Sequence, residues 1–274
     1  MAWEGNESAT FAASLSYLFR LKKAFLRVAN YKQLWQRTWR IGLQVIAALF
    51  LTSLAWVLVY RWVAPPATWI MLERRAHPPV GKGYYGIVQD GRRIRYDFKT
   101  IGEVTPQLPL ALIAAEDQRF LLHHGFDFDA LVKAAKRNMK SDDKVVGGST
   151  ISQQVAKNVF LWHGRSYVRK GLEAYFTVLI ELLWNKRRIM EMYMNVAEMG
   201  DCTFGAEAAS QRYFHKSANR LTPPEAALLA GVLPNPLRFR ASNPGPVARA
   251  KQQRVLRNMR RLGGTTYVKE ILEN

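Results

Sequence analysis

Glu116 is the first side chain in this sequence whose type and setting suit proton transfer. It ends an apolar stretch, residues 108–115, so its carboxylate is expected at the edge of a core. Partial desolvation there raises a carboxylate pKa toward values useful for general acid or base catalysis. The alternative is a surface glutamate that pairs with Arg119, three residues later on a helix.

A second run, Gly147-Gly148-Ser149-Thr150, can present backbone N–H groups and hydroxyls to an anion at a helix start. The same residues also fit a loop that ends in a helix N-cap. The side chains that follow favour binding of sugars and phosphates, because amides and a cation recur there at helical spacing. They are Gln153, Gln154, Lys157 and Asn158.

A second carboxylate, Glu173, lies among cations on a later predicted helix. Two carboxylates that flank an anomeric carbon are the usual machinery of glycosyl transfer and of glycoside hydrolysis. Cations suit a leaving group that carries phosphates better than a neutral sugar, although a basic helix face is also an ordinary solvated surface. The cations concerned are Lys157, Arg165, Arg169 and Lys170.

Five segments resemble, in order, the motifs of the peptidoglycan glycosyltransferase family. Residues 116–125 are similar to the pattern EDxxFxxHxG, and residues 147–154 to GGSTITQQ. Residues 169–173 resemble RKxxE, residues 186–195 resemble KxxILExYLN, and residues 204–214 resemble the last motif. Because little sequence follows, the chain resembles the monofunctional biosynthetic members of this family rather than the bifunctional class A penicillin-binding proteins.

The resemblance implies a mainly α-helical, lysozyme-like catalytic domain on the outer face of a membrane. The implied reaction is polymerisation of lipid II, in which the 4-hydroxyl of an incoming lipid-linked disaccharide attacks C1 of the growing chain. The configuration at C1 inverts, and undecaprenyl pyrophosphate leaves. The implied partners are lipid II, the growing glycan chain, membrane lipid, and other proteins of cell-wall synthesis or division.

The resemblance also implies roles for single residues. Glu116 is implied as the base that takes the acceptor proton, and Glu173 as a group that stabilises the donor side, directly or by positioning cations or a metal ion. No cofactor is implied as obligatory, and Mg²⁺ or Mn²⁺ near the pyrophosphate is left open. The implied substrate-binding residues are Asp117, Phe120, His123, Ser149, Thr150, Gln153, Gln154, Lys157, Asn158, Arg165, Arg169 and Lys170.

Two of these assignments keep an alternative. His123 either shapes the first motif as part of the site or is a satisfied core histidine. In the segment that corresponds to the membrane-touching part of the family, Phe126, Phe128 and Leu131 either meet lipid or pack in the core.

Residues 41–60 are predicted to form a transmembrane helix. They include no acid, base or proline, and at about 1.5 Å per residue they cross a hydrocarbon core of roughly 30 Å. A buried core helix is the alternative. Aromatic residues near both ends favour the membrane, since they suit an interfacial belt; they are Trp35, Trp39, Trp56, Tyr60 and Trp62.

Charge predicts the orientation of this helix. The first 40 residues carry seven Lys or Arg and two Glu, so the positive-inside tendency places the N-terminus in the cytoplasm and the catalytic domain outside a cytoplasmic (inner) membrane. The formal net charge is +19, of which +14 lies after residue 40. This charge favours anionic partners, and a solvated basic surface is the alternative for about half of it. For an exported domain beside its anchor, lipid headgroups or a pyrophosphate are favoured over nucleic acid.

The predicted organisation is a cytoplasmic segment 1–40, a transmembrane helix 41–62, a linker 63–104 and a catalytic domain 105–274. Within residues 67–107, Gly, Pro and aromatic residues predict an extended linker with a short hairpin. Apolar spacing then predicts a succession of helices. They span 109–121, 127–139, 149–162, 166–184, 186–199, 204–214, 222–233 and 248–262.

Two other functions fit part of the sequence. A peptidoglycan-cleaving enzyme of lysozyme-like fold would also use two carboxylates on helices, but it needs neither a pyrophosphate clamp nor a retained anchor. A non-catalytic, membrane-tethered cell-wall scaffold would use only the basic surface. The cations near Glu173 and the predicted anchor favour the synthase.

Overall fold

The computed structural model describes residues 35–76, 94–139, 148–162, 164 and 166–273. The chain divides into two compact units, residues 1–56 and 57–274. Helix α1, Trp35–Tyr60, is the one helix in the described ranges that is long and apolar enough to cross a membrane. Its length and composition match the predicted single transmembrane helix.

The second unit is mainly α-helical, as predicted. Its three short strands lie in two places along the chain, and its other described elements are helical. The helices are α2 Trp69–Ala76, α3 Gln107–Glu116, α4 Phe128–Asn138, α5 Ile151–Phe160, α6 Tyr167–Leu183, α7 Lys186–Val196, α8 Ala206–Phe214, α9 Pro223–Val232, α10 Pro246–Arg261 and α11 Lys269–Glu273, and the strands are β1 Arg95–Tyr96, β2 Glu198–Gly200 and β3 Thr203–Phe204.

Side-chain caps explain where four of these helices begin. Asp127, Thr150, Ser166 and Asn185 each accept a hydrogen bond from the backbone N–H three residues later, at the starts of α4, α5, α6 and α7. Such a cap stabilises a helix by about 1 kcal/mol relative to alanine. The helices predicted from apolar spacing are therefore confirmed, with ends that move by a few residues.

The first motif departs from the prediction. Helix α3 ends at Glu116 instead of continuing to residue 121, since Asp117 leaves the helical region with φ −154° and ψ 79°. The Asp117 carboxylate accepts a hydrogen bond from the Ile151 N–H and contacts the His123 ring. These contacts hold residues 117–125 as a series of turns, so the motif is not a continuous helical face.

The core forms around two helices that are apolar on every side. Leu108 to Ala114 of α3 and Ala226 to Val232 of α9 are buried, and the two helices pack against each other and against α10. Because α3 is buried on all faces, its C-terminal residue, Glu116, emerges at the rim of the core. Helices α5, α6 and α7 pack together as the other side of the site.

The linker prediction is wrong for the described part of residues 67–107. That part includes helix α2, whose Met71 is buried, where extended chain was expected. Strand β1 pairs in parallel with β3 in a sheet of order β1-β3-β2, where a local hairpin was expected. A partner so distant in sequence leaves no local signal. Residues 77–93 lie outside the described ranges, and the domain boundary near residue 105 stays a prediction.

The second unit also contains the last turn of α1, which contacts the helices beyond it. Trp184 Nε1 donates a hydrogen bond to the Val57 carbonyl at 2.9 Å. The Arg188 guanidinium donates to the carbonyls of Tyr60 and Val63, at 2.9 Å and 2.8 Å from Nη2. The final carbonyls of a helix lack donors of their own, so these side chains satisfy the end of α1.

Gly205 provides a test of this packing. Its φ is +85°, and a Cβ atom there would lie 2.7 Å from the backbone oxygen of Asn195. We expect Gly205→Ala to lower the free energy of unfolding by about 2–4 kcal/mol, from left-handed strain and the clash. The matched control is Gly171→Ala, since Gly171 is helical with nothing within 4 Å of its Cβ position. That change should stabilise by about 0.5–1 kcal/mol.

Thermal unfolding of the full chain in detergent measures both variants. Equal melting temperatures for Gly205→Ala and the wild type would contradict the described path of the chain at β3.

Candidate active site

Glu116 lies at the end of α3 with its carboxylate half-buried. Gln154 Nε2, from α5, donates a hydrogen bond to Glu116 Oε2 at 2.9 Å. Burial raises the pKa of Glu116, while the Gln154 hydrogen bond and the charges of Lys251, Lys157 and Arg254 act to lower it, and the net shift is upward. A carboxylate with a raised pKa and an orienting amide is suited to accept a proton.

Tyr193 sets the orientation of the Gln154 amide. Its hydroxyl donates to Gln154 Oε1 at 3.3 Å, so the amide NH₂ group points to Glu116. Burial raises the pKa of Tyr193 well above its ordinary value, and the phenol therefore keeps its proton as a donor. Sequence reasoning missed Tyr193, although a tyrosine within the fourth motif that is buried in an apolar helix requires a hydrogen-bond partner.

Asp117 and His123 form a buried pair beneath Glu116. His123 Nε2 lies 3.0 Å from both Asp117 oxygens, and Asp117 Oδ2 accepts a hydrogen bond from Ile151 N at 3.1 Å. His123 Nδ1 is buried and has no hydrogen-bond partner among the described residues. The pair joins the turns of the first motif to the start of α5. The buried Nε2 contacts favour the core alternative for His123, in which one of its two ring nitrogens is bonded.

Phe120 is fully buried. The Lys186 ammonium lies 4.6 Å from its ring centre and donates to the His123 carbonyl at 2.7 Å. Lys186 also pairs with Glu181 at 2.9 Å. Phe120 and Lys186 therefore support the turns of the first motif, and Phe120 lines neither of the two cavities described below.

Thr150 and Gln153 form a capping box at the start of α5. The Thr150 N–H donates to Gln153 Oε1 at 2.9 Å, and the Gln153 N–H donates to Thr150 Oγ1 at 3.2 Å. The Thr150 hydroxyl donates to the Gly125 carbonyl at 2.6 Å. Both side chains are buried, and their contacts are those of a helix N-cap, one of the two alternatives predicted for this run. Ser149 beside them is exposed.

Glu173 of α6 is buried between two cations. Its carboxylate pairs with Lys170, and Arg169 Nη1 lies 3.5 Å from Glu173 Oε2. Burial lowers the pKa of nearby Lys157, an effect that the attraction of Glu173 opposes. Arg169 Nε is buried without a hydrogen-bond partner among the described residues. Arg165, predicted to join this group, lies outside them.

Two cavities connect these groups. A cavity of about 420 Å³, here called the cation-lined cavity, is lined by Lys157, Asn158 and Arg169 together with Gln154 and Tyr193. A second cavity of about 480 Å³, the Glu116 cavity, is lined by Glu116 itself and by Ser149. Glu116 thus faces one cavity, and its hydrogen-bond partner Gln154 faces the other.

The sequence is similar to a family model and to proteins of described function. The sequence model of the family described as Transglycosylase matches residues 86–260. A biosynthetic peptidoglycan transglycosylase of Klebsiella oxytoca is 49% identical over 213 residues, which cover 78% of this chain and 86% of that protein. A protein of the same description from Salmonella typhi is 46% identical over 229 residues, covering 84% of this chain and 92% of its own.

The chain belongs to the transglycosylase family. The family resemblance drawn from the five motifs is therefore confirmed, as is the mainly α-helical, lysozyme-like class of the domain.

Within this transglycosylase, the structure separates the predicted site residues into two groups. Some line a cavity and can meet a ligand: Glu116, Asp117, Ser149, Thr150, Gln154, Lys157, Asn158 and Arg169. Others support them through the contacts given above: Phe120, His123, Gln153, Lys170 and Glu173. Asp117 and Thr150 do both, since each lines the Glu116 cavity and also joins the first motif to α5.

Helix α4 lies beside the Glu116 cavity and exposes apolar side chains. Phe128 is 72% and Val132 53% exposed, and Lys133 and Arg137 line the cavity. Phe126 is only half-exposed and packs against Phe128 with ring centres 6.1 Å apart. The exposure of Phe128 favours the lipid-contact alternative for this residue over packing in the core.

Proposed function

We propose that this peptidoglycan glycosyltransferase of cell wall synthesis polymerises lipid II with Glu116 as its general base. The observation that carries the proposal is the half-buried Glu116 carboxylate, oriented by Gln154 beside a cluster of cations, in a member of the transglycosylase family. The acceptor sugar would occupy the Glu116 cavity, and the pyrophosphate of the donor would occupy the cation-lined cavity.

The proposed step is a single displacement with inversion. The acceptor 4-hydroxyl gives its proton to the Glu116 carboxylate as its oxygen forms a bond to C1 of the donor sugar. The bond from C1 to the pyrophosphate oxygen breaks, and its electron pair leaves with undecaprenyl pyrophosphate. The raised pKa of Glu116 favours proton uptake at this moment.

The developing charge on the pyrophosphate would meet Lys157 and Arg169, with Lys170 beside them. Cations fixed in a partly desolvated cavity stabilise such charge more than water does. The buried N–H of Arg169 Nε has no partner among the described residues, which suits a ligand oxygen. Because Glu173 pairs with both Arg169 and Lys170, its proposed role is to hold these two cations in place.

A metal ion held by the protein does not fit the described residues. They include no group of three or more His, Cys, Asp or Glu side chains that could hold one, and the Glu173 carboxylate is occupied by its two cations. A role for Mg²⁺ or Mn²⁺ stays a prediction, which the polymerisation assay described below tests when it is repeated with EDTA.

Mutation of Glu116 tests the proposal. Glu116→Gln should abolish glycan polymerisation from purified lipid II, since the amide cannot take the proton. The fold should persist, because a raised pKa means that ionising Glu116 destabilises the folded state at neutral pH. The variant should therefore melt at the wild-type temperature or above it.

Products resolved on a gel, with Glu273→Gln as control, decide the outcome. Glu273 is a surface residue paired with Lys269 at 3.5 Å, so this control should polymerise normally. Shortening of preformed glycan would support a hydrolase instead, and no turnover by the wild type in either direction would support a scaffold.

A pH profile tests the role of charge around the base. Glu116 must be ionised to act, so kcat/KM falls as the pH drops through its pKa. The Lys251 cation acts to lower that pKa, and Lys251→Met removes the charge while keeping an apolar stem beside Phe239. The acidic limb of the profile should move to higher pH. The control Lys269→Met, on the surface of α11, should leave the acidic limb in place. If the limb moves in neither variant, Glu116 is not the titrating base.

Location in the inner membrane and contact with lipid and with cell-wall synthesis or division proteins belong to the same proposal. The apolar helix α1 and the basic residues before it support an N-terminus in the cytoplasm. A membrane-impermeant thiol reagent added to spheroplasts should label Lys133→Cys, an exposed position on α4, and should not label Lys22→Cys. Cys202 is buried and gives little background. The reverse labelling pattern would refute the orientation.

A further inference from the structure

Arg74 and Glu198 form a forked ion pair that the five motifs do not include. Arg74 Nε lies 3.0 Å from Glu198 Oε1, and Nη2 lies 2.9 Å from Oε2. The two side chains are 20% and 14% exposed. Arg74 comes from α2, which precedes the stretch matched by the family, residues 86–260, and Glu198 begins β2.

The pair lines the cation-lined cavity. Its lining includes Arg74 and Glu198 together with Tyr193 and Phe204, and Lys157 and Arg169 come from α5 and α6. Glu198 is the one carboxylate among the described residues that line this cavity. A ligand there meets the three cations and this one carboxylate.

Such an arrangement sorts the parts of a lipid-linked saccharide by charge. A pyrophosphate is attracted to Lys157 and Arg169, whereas the Glu198 carboxylate offers it no hydrogen-bond donor. A neutral sugar carries hydroxyl and N-acetyl N–H donors, which a carboxylate accepts through lone pairs that Arg74 does not use. Charge complementarity of this kind contributes orientation as well as affinity.

Arg74 opposes protonation of this carboxylate. Burial raises the pKa of Glu198, the hydrogen bonds and charge of Arg74 act to lower it, and the net shift is upward. A two-point guanidinium contact also restricts the direction of the carboxylate. Without Arg74, a half-buried Glu198 would protonate more readily and lose its fixed direction.

We propose that Glu198, held by Arg74, binds the saccharide of the donor substrate by accepting hydrogen bonds from its hydroxyl or N-acetyl N–H groups. The inference rests on the proposed function, because it assigns a sugar contact to the cavity where the donor pyrophosphate would bind. Glu198 is then a substrate-binding residue. Arg74 is a positioning residue, and it comes from α2, which precedes the residues matched by the family model.

The test compares a conservative variant with a charge swap, using the full chain and purified lipid II. Glu198→Gln keeps the shape and one acceptor for Arg74, so its melting temperature should stay near that of the wild type. Its kcat/KM should fall about tenfold, mainly through a higher KM, since a hydrogen bond to a charged acceptor is lost. The double variant Arg74→Glu with Glu198→Arg restores the ion pair but places the carboxylate on α2. Its melting temperature should exceed that of Arg74→Glu alone, while its kcat/KM should stay low.

Glu225→Gln is the matched control. Glu225 forms a comparable half-buried pair with Lys216 at 2.6 Å and lines neither cavity, so its change should leave KM unaltered. An unchanged kcat/KM in Glu198→Gln, or recovery of kcat/KM in the charge swap, would overturn the inference and leave the pair as a structural clamp. If the swapped protein does not fold, Glu198→Gln alone decides. If the wild type makes no polymer, the proposed function itself is refuted. If the wild type is active and the variants are unaffected, only the inference about Glu198 fails.

Discussion

The position of Glu116 depends on the neighbouring carboxylate of Asp117. By accepting hydrogen bonds from Ile151 N and contacting the His123 ring, Asp117 stops α3 and fixes its end against the start of α5. Gln154 lies one turn further along α5, within reach of Glu116. A buried carboxylate with several partners is a rigid joint, since each lost contact leaves a desolvated charge.

The charged side chains of this site form pairs of opposite sign whose charges do not cancel completely. Helix α6 buries Glu173 beside the half-buried Arg169 and the exposed Lys170. The three charges leave an excess of one positive charge near Lys157. Burial lowers the pKa of Lys157, and the charge of Arg169 acts in the same direction. In the proposed function, an anionic pyrophosphate beside these cations would favour their charged forms, so burial strengthens the attraction between the cations and the ligand.

The same helices that form the site also contact the end of α1, the helix long and apolar enough to cross a membrane. Trp184 follows α6 and Arg188 lies in α7, one turn before the buried Glu191 and Tyr193, and both donate to carbonyls of the last turn of α1 and the residues after it. Glu191 in turn accepts the N–H of Ile101. A single helix, α7, therefore connects the chain before the domain, the short helical turn at residue 101 and the amide that orients the base.

The amino-acid sequence by itself determined the helices between residues 107 and 262, the apolar span, the order of the motifs and the family. Each of these depends on spacing along the chain: apolar residues every three or four positions, caps at i and i+3, or an uninterrupted apolar run. The identity of Glu116 as an acid at the edge of a core was readable for the same reason, because α3 is apolar on every face and ends there.

Only the tertiary structure decided what each polar side chain contacts. Thr150 and Gln153 bond to each other as a cap, Gln154 faces Glu116 because Tyr193 occupies its other end, and Arg74 meets a glutamate 124 residues away. Local spacing specifies the face of a helix on which a side chain lies, but its partner is set by how separate helices pack. The unexpected helix α2, which has no Gly or Pro of its own, and the pairing of β1 with β3 have that same cause. Elements this short are fixed by burial against distant residues more than by their own weak preferences.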